Sequence, residues 1–273
     1  MKNPRQLQMA KAGAVQLQLR KFDPSTMPDN ATCVFLGRRR TGKSTLVTDI
    51  LYHKRHLPAG VVMSATEDGN GHYKQFVPDL FIYNDFSREA AEKLYERQKR
   101  LKAAGKYAPV FFLMDDCMYD KSRMKEPVIR EIFMNGRHYN IFFLFTAQYA
   151  MDVPPAIRGN IDYVFVLRDN IRKNRENLYE SFFGCFPTKD MFFQVMDSCT
   201  ENYECLVLDN TGKSNKIEDN VFWYKAPIRK NFRIGSDSMW NYHKQHYNAS
   251  TPANTMTAAN RPRGSQRVVV KKT

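Results

Sequence analysis

The chain has no apolar run approaching the ~18 residues that a membrane-crossing helix needs, and its start, Met1-Lys-Asn-Pro-Arg5, lacks the apolar core of a secretory signal. These absences predict an unexported protein with no membrane-spanning segment. Cysteine is sparse. The five residues Cys33, Cys117, Cys185, Cys199 and Cys205 show no C-x-x-C spacing, which argues against a disulfide frame or a zinc ribbon and for reduced, buried thiols. His243 and His246 are spaced like a ligand pair, but no further ligand cluster accompanies them, so they read as surface residues. Acidic residues are in deficit, 28 against 42 basic ones, for a net charge of +14. That balance favours a polyanionic partner, and nucleic acid is the obvious one. No aromatic-interleaved platform for single strands and no internal repeat is visible.

The chain is organised around Gly37-Arg-Arg-Arg-Thr-Gly-Lys-Ser44, which fits G-x-x-x-x-G-K-[ST]. It follows the apolar run Thr32-Cys-Val-Phe-Leu36 and precedes the helix-compatible Thr45-Leu-Val-Thr-Asp-Ile-Leu51, the strand, loop and helix context that phosphate binding requires. Backbone N–H groups from Gly37 through Arg38, Arg39, Arg40, Thr41, Gly42, Lys43, Ser44 and Thr45 are expected to surround the phosphates of ATP. Lys43 adds a mobile cation, and the Ser44 hydroxyl is expected to bind Mg²⁺. Only the backbone of Arg38 to Arg40 is required for this, so their side chains remain open to a polyanion, a neighbouring subunit or water.

Short apolar runs alternate with helical patterns. Strands are predicted at Gly60–Ser64, Leu80–Tyr83, Val110–Met114, Ile141–Phe145 and Tyr163–Leu167. Helices are predicted from Ser87, as N-cap, to about Ala104, from Pro127 to Asn135, and over 172–198. Glu204–Asp209 and Asn220–Tyr224 read as a hairpin. The alternation predicts an α/β fold with a central, mostly parallel sheet flanked by helices. Val15–Leu19 reads as an edge strand within a lead-in over 1–31, 32–235 as the nucleotide domain, and 236–273 as a basic, disordered tail.

Val110–Met114 ends in Asp115-Asp116, at the strand tips where open α/β sheets bind ligands. Asp115 is expected to hold Mg²⁺ through water, alongside Ser44, and Asp116 to polarise the attacking water. Gln148, closing the next strand, is placed to contact the γ-phosphate or that water. Arg137 is the first candidate for an arginine finger inserted into a neighbouring subunit's site, with Arg158 and Arg168 competing for the role. For nucleic acid the candidates are the loop Lys121, Arg123, Lys125 and the segment Arg172, Lys173, Arg175.

This combination resembles the HerA/FtsK superfamily, and specifically the genome-packaging ATPases of nucleocytoplasmic large DNA viruses, the poxvirus-type packaging ATPase. The residues that carry the likeness are the nucleotide loop, the strand ending Asp115-Asp116, and Asn135-Gly-Arg-His-Tyr-Asn-Ile141 running into Phe145-Thr-Ala-Gln148. Ala65–Asn70, Val77–Tyr83, Arg158–Tyr163 and Phe222–Lys225 add to it. The resemblance covers about residues 15 to 235. It implies an additional-strand, RecA-like P-loop NTPase core that forms a hexameric or pentameric ring and pumps double-stranded DNA into a capsid through a capsid or portal partner. It places the protein in the virion or at the assembly site in the host-cell cytoplasm. It also implies that Arg137 is the finger and Gln148 the nucleotide sensor. Cellular relatives carry Asp-Glu at the strand tip, whereas here the second acid is Asp116, one methylene shorter. Two alternatives stay open: a nucleoside or nucleotide kinase with a lid over Asp169–Arg175, and a DNA-binding scaffold that uses nucleotide only to assemble.

Overall fold

The computed structural model describes residues 17–247. In chain order the elements are β1 (Arg20–Lys21), β2 (Thr32–Leu36), α1 (Lys43–His53), β3 (Ala59–Ser64), α2 (Glu67–Asn70), β4 (Ile82–Tyr83), α3 (Arg88–Ala103), β5 (Val110–Asp115), α4 (Pro127–Asn135), β6 (Ile141–Ala147), α5 (Pro155–Arg158), β7 (Tyr163–Val166), α6 (Arg172–Phe182), α7 (Lys189–Cys199), β8 (Glu204–Asp209), α8 (Ile217–Asn220), β9 (Val221–Lys225) and α9 (Asp237–His246).

The strands form one sheet in the order β1-β9-β8-β7-β2-β6-β5-β3-β4. All neighbours pair in parallel except β8, which is antiparallel to both β7 and β9. The fold is thus an α/β P-loop NTPase architecture with a mostly parallel central sheet. β6 stands between the loop strand β2 and the acid-bearing β5, the additional strand that the resemblance implied.

The central strands are buried on both faces, and their side chains alternate between two cores. Val34, Phe112, Phe143, Phe145 and Val166 face α3, α4, α6 and α7. Phe35, Phe111, Phe142, Leu144 and Phe165 face α1 and α9. Stacked rings tie adjacent strands together, Phe35 on Phe165 at 4.7 Å and Phe112 on Phe143 at 5.2 Å between centroids. In α1 the β-branched Thr45, Val47, Thr48 and Ile50 each cost a few tenths of a kcal/mol of helix propensity. Burial of Leu46, Val47, Ile50 and Leu51, worth about 1.5–3 kcal/mol per side chain, decides in favour of the helix.

Ser87 caps α3 through the Ala90 N–H, as expected, and α4 has its expected bounds. Four details differ from the sequence reading. The first strand lies at Arg20–Lys21, paired with Phe222 and Trp223, while Leu17 and Leu19 pack on the core and Val15 lies outside the described residues. The helical stretch over 172–198 is two helices, because Pro187 breaks it and the Thr188 side chain caps the second through the Met191 N–H. The segment assigned to a tail begins with α9, whose Met239 is buried against the core; residues 248–273 lie outside the described residues. Cys33, Cys117 and Cys205 are buried, but Cys185 is exposed. Among the described residues no helix is long and apolar enough to cross a membrane.

Candidate functional site

The loop between β2 and α1 is closed by its own side chains. Thr41 Oγ1 donates to the Arg38 carbonyl at 2.8 Å, and the Gly37 N–H donates to the Ala147 carbonyl at 3.2 Å, tying the loop to the end of β6. Gly42, at φ +94°, turns the chain into α1 in a conformation that L side chains rarely adopt. The first N–H groups of α1 have no intrahelical acceptor, so they and the helix dipole present positive charge to whatever occupies the loop. Lys43 Nζ spans the loop, 3.3 Å from the Gly37 carbonyl and 3.5 Å from that of Ala147. Burial pushes its amine below the ordinary lysine range, opposed by the nearby carboxylates Asp115, Asp116 and Asp152.

The acid pair is built by two strands, β5 and β6, and a distant tyrosine. Asp115, the last residue of β5, is only 4% exposed. Thr146 Oγ1 on β6 donates to its Oδ1 at 2.7 Å, and Tyr73 Oη donates to its Oδ2 at 2.7 Å. Burial, and then the Asp115 charge, hold the Tyr73 phenol well above its ordinary range, so it remains a donor. Asp116 sits at φ +51°, where non-glycine residues are uncommon. Its N–H donates to Thr146 Oγ1 at 2.9 Å, and Gln148 Nε2 is 3.4 Å from its Oδ1. One hydroxyl therefore bridges both acids.

Arg38, Arg39, Arg40, Gly42, Lys43, Ser44, Thr45, Thr66, Asn70, Asp115 and Asp116 line a single open cleft of about 540 Å³. No three metal-ligating side chains cluster among the described residues. The donor set nevertheless fits Mg²⁺, which usually takes one or two protein oxygens and completes its shell with water and phosphate. Ser44 and Asp115 would hold it, the ion arriving with the nucleotide.

Not every expected residue joins this cleft. Arg137 precedes β6 and lies at the opposite edge of the sheet, a strand length of about 20 Å from the loop. There it pairs with Asp162 Oδ1 at 3.4 Å and is about half exposed. Arg158 donates through Nε to the Val153 carbonyl at 3.0 Å, its Nη2 buried with no hydrogen-bond partner among the described residues. Arg168 is exposed and 3.7 Å from Glu201.

Arg123 is withdrawn from the proposed nucleic-acid loop. Its guanidinium is buried and bidentate to Asp85, at 2.5 and 2.9 Å, and also binds the Cys117 carbonyl and Tyr119. Lys121 and Lys125 stay exposed. In the second basic segment Arg175 is tied to the Asp169 carbonyl and to Asp197, leaving Arg172 and Lys173 outward. His243 accepts from the Leu80 N–H and His246 contacts the Tyr242 carbonyl, so they do not form a ligand pair.

Sequence reading did not assign Tyr73 or the role of Thr146. Thr146 is signalled by its place one strand-width from Asp115. Tyr73 carries no local signal, since the contact spans 42 residues.

No protein-family model matches the chain. In fold it is similar to the genome packaging NTPase B204 of Sulfolobus turreted icosahedral virus 2 in complex with AMPPCP, with 17% identity, a TM-score of 0.54, and coverage of 74% of this chain and 100% of that one. In sequence it is 38% identical over 245 residues to the uncharacterized protein L437 of Acanthamoeba polyphaga mimivirus, spanning 85% of each chain. It is 38% identical over 214 residues to the uncharacterized protein 015R of Frog virus 3, spanning 77% of this chain and 66% of that one. At that identity and coverage, the chain belongs to the family of large-DNA-virus proteins that includes mimivirus L437.

Proposed function

We propose that this chain is an ATP-hydrolysing motor that drives double-stranded DNA into a viral capsid as a homo-oligomeric, hexameric or pentameric ring. The observation that carries this reading is the single cleft in which Lys43 and Ser44 meet Asp115 and Asp116 across the intervening strand β6. The fold shared with B204, a genome packaging NTPase, supports it.

Phosphoanhydride cleavage asks for positioning and charge stabilisation more than for covalent chemistry. The loop N–H groups and Lys43 hold the β- and γ-phosphates. Mg²⁺, when bound, neutralises phosphate oxygen charge. Asp116, aimed by its positive φ and by Gln148, accepts a hydrogen bond from the attacking water. Arg137 lies far from the cleft of its own chain; as a finger it would act in the cleft of the next copy, where a planar guanidinium matches the developing phosphoryl charge. The net charge of +14 suits a DNA partner, with Lys125 and the exposed but paired Lys121, Arg172 and Lys173 as candidate contacts. Assembly with a capsid or portal component places the work at the virus assembly site.

ATP turnover by the purified chain, measured with and without duplex DNA at fixed salt, tests the reading. DNA-stimulated phosphate release is expected. No turnover in the presence of duplex, or transfer of phosphate to a nucleoside acceptor, would overturn it.

A further inference from the structure

The cleft that would take the phosphates offers no aromatic or apolar face to a base. Every residue lining it is charged, polar or glycine. The acids lie on the β6 and β5 side of β2, which fixes the γ-phosphate end and directs the rest of a nucleotide toward β7 and β8. Because β8 runs against β7, the turn that opens β8 stands at this same edge of the sheet.

That turn is built in a way that needs explanation. The Glu204 N–H donates to the Glu201 carbonyl at 2.9 Å, and both central residues have positive φ, Asn202 at 52° and Tyr203 at 64°. This is the tight hairpin-turn geometry in which the second central position normally takes glycine. Asparagine tolerates it, whereas a bulky aromatic there is a strained exception. Tyr203 is nevertheless 71% exposed, so core packing does not account for it. Its ring lies against the phosphate loop: a Cβ added at Gly42 would sit 3.1 Å from its Cδ1. Arg168 pairs with Glu201 of the same turn, at 3.7 Å.

We propose that Tyr203 is the base platform of the nucleotide site, its ring stacking on the base of a nucleoside triphosphate whose phosphates occupy the Gly37–Ser44 loop. The inference rests on the nucleotide-binding reading above. Stacking needs only a π-face, so Tyr203 favours the larger purine rings without reading their hydrogen-bonding edges.

The test is titration of the full chain with Mg-ATP and, separately, with Mg-tripolyphosphate, which has no base. In Tyr203→Gly, ATP should bind about 10-fold more weakly, tripolyphosphate as in the parent, and the turn should lose its strain, so that the melting temperature does not fall. Tyr203→Asn should behave alike, and Tyr203→Phe should retain ATP affinity. Unchanged ATP affinity in Tyr203→Gly overturns the assignment. So does an equal loss for both ligands, which would make Tyr203 a prop for Gly42. A parent chain that binds neither ligand removes the nucleotide reading itself, and this inference with it.

Discussion

Helix α1 carries charge at two places, one half-buried and one fully buried, and the two differ in what surrounds them. At its first turn, Lys43 faces an open cleft shared with Asp115 and Asp116. Two turns later, Asp49 is fully buried and enclosed. Arg229 Nε donates to its Oδ1 at 2.6 Å, Tyr224 Oη donates to its Oδ2, and His53 lies 3.8 Å away. Burial, followed by the Asp49 charge, pushes the Tyr224 phenol upward, keeping it a donor. Desolvation of a titratable group therefore occurs at both places. What separates a site from a bolt is access: the first turn leaves donors pointing into space, whereas the Asp49 cluster satisfies its groups internally and fastens the helix to β9 and the segment after it.

Four substitutions sharpen or break that contrast. The largest effect is expected from Arg137→Ala, which should lower ring ATPase activity by about 10³-fold or more. Mixing it with Lys43→Ala subunits should restore part of the rate, since each supplies what the other lacks; normal turnover by pure Arg137→Ala rings would remove the finger. Lys43→Ala should lower turnover by at least about 100-fold with little change in melting temperature. Asp49→Ala should do the reverse, costing roughly 3–5 kcal/mol of stability by stranding Arg229, read by denaturant unfolding, while rate per folded molecule is kept. Equal loss of rate in folded Asp49→Ala would show that the two ends of α1 are not separable.

The smallest effect concerns Asp162, whose carboxyl is held above the ordinary range by burial, opposed by the Thr32 N–H and Arg137. An acid whose folded pKa exceeds its unfolded one costs nothing in strongly acidic solution and subtracts from stability as pH rises through the two values. Asp162→Asn should thus melt slightly higher than the parent near neutral pH, with the difference vanishing at the acid end.

Much of the cleft was legible because its signals are local. Gly37–Ser44 declares a loop through residue types fixed by backbone geometry, and Val110–Met114 declares a doubly buried strand with acids at its tip. What was not legible depended on distant partners. Nothing near Arg123 announces that Asp85 will neutralise it, nor does anything near Tyr73 point to Asp115. Helix α9 was hidden for a different reason: its sequence is polar, with a single buried methionine holding it down. The Asn202-Tyr203 turn was not legible because tyrosine is a poor advertisement for positive φ.

The two outermost strands of the sheet, Arg20–Lys21 and Ile82–Tyr83, are each only two residues long. Edges so short offer almost no ladder of free amides and carbonyls for another chain to extend. Among the described residues, then, contact between copies would fall to side chains on helices and loops, and such seams can slide or tilt against each other without backbone pairing having to be torn open and rebuilt.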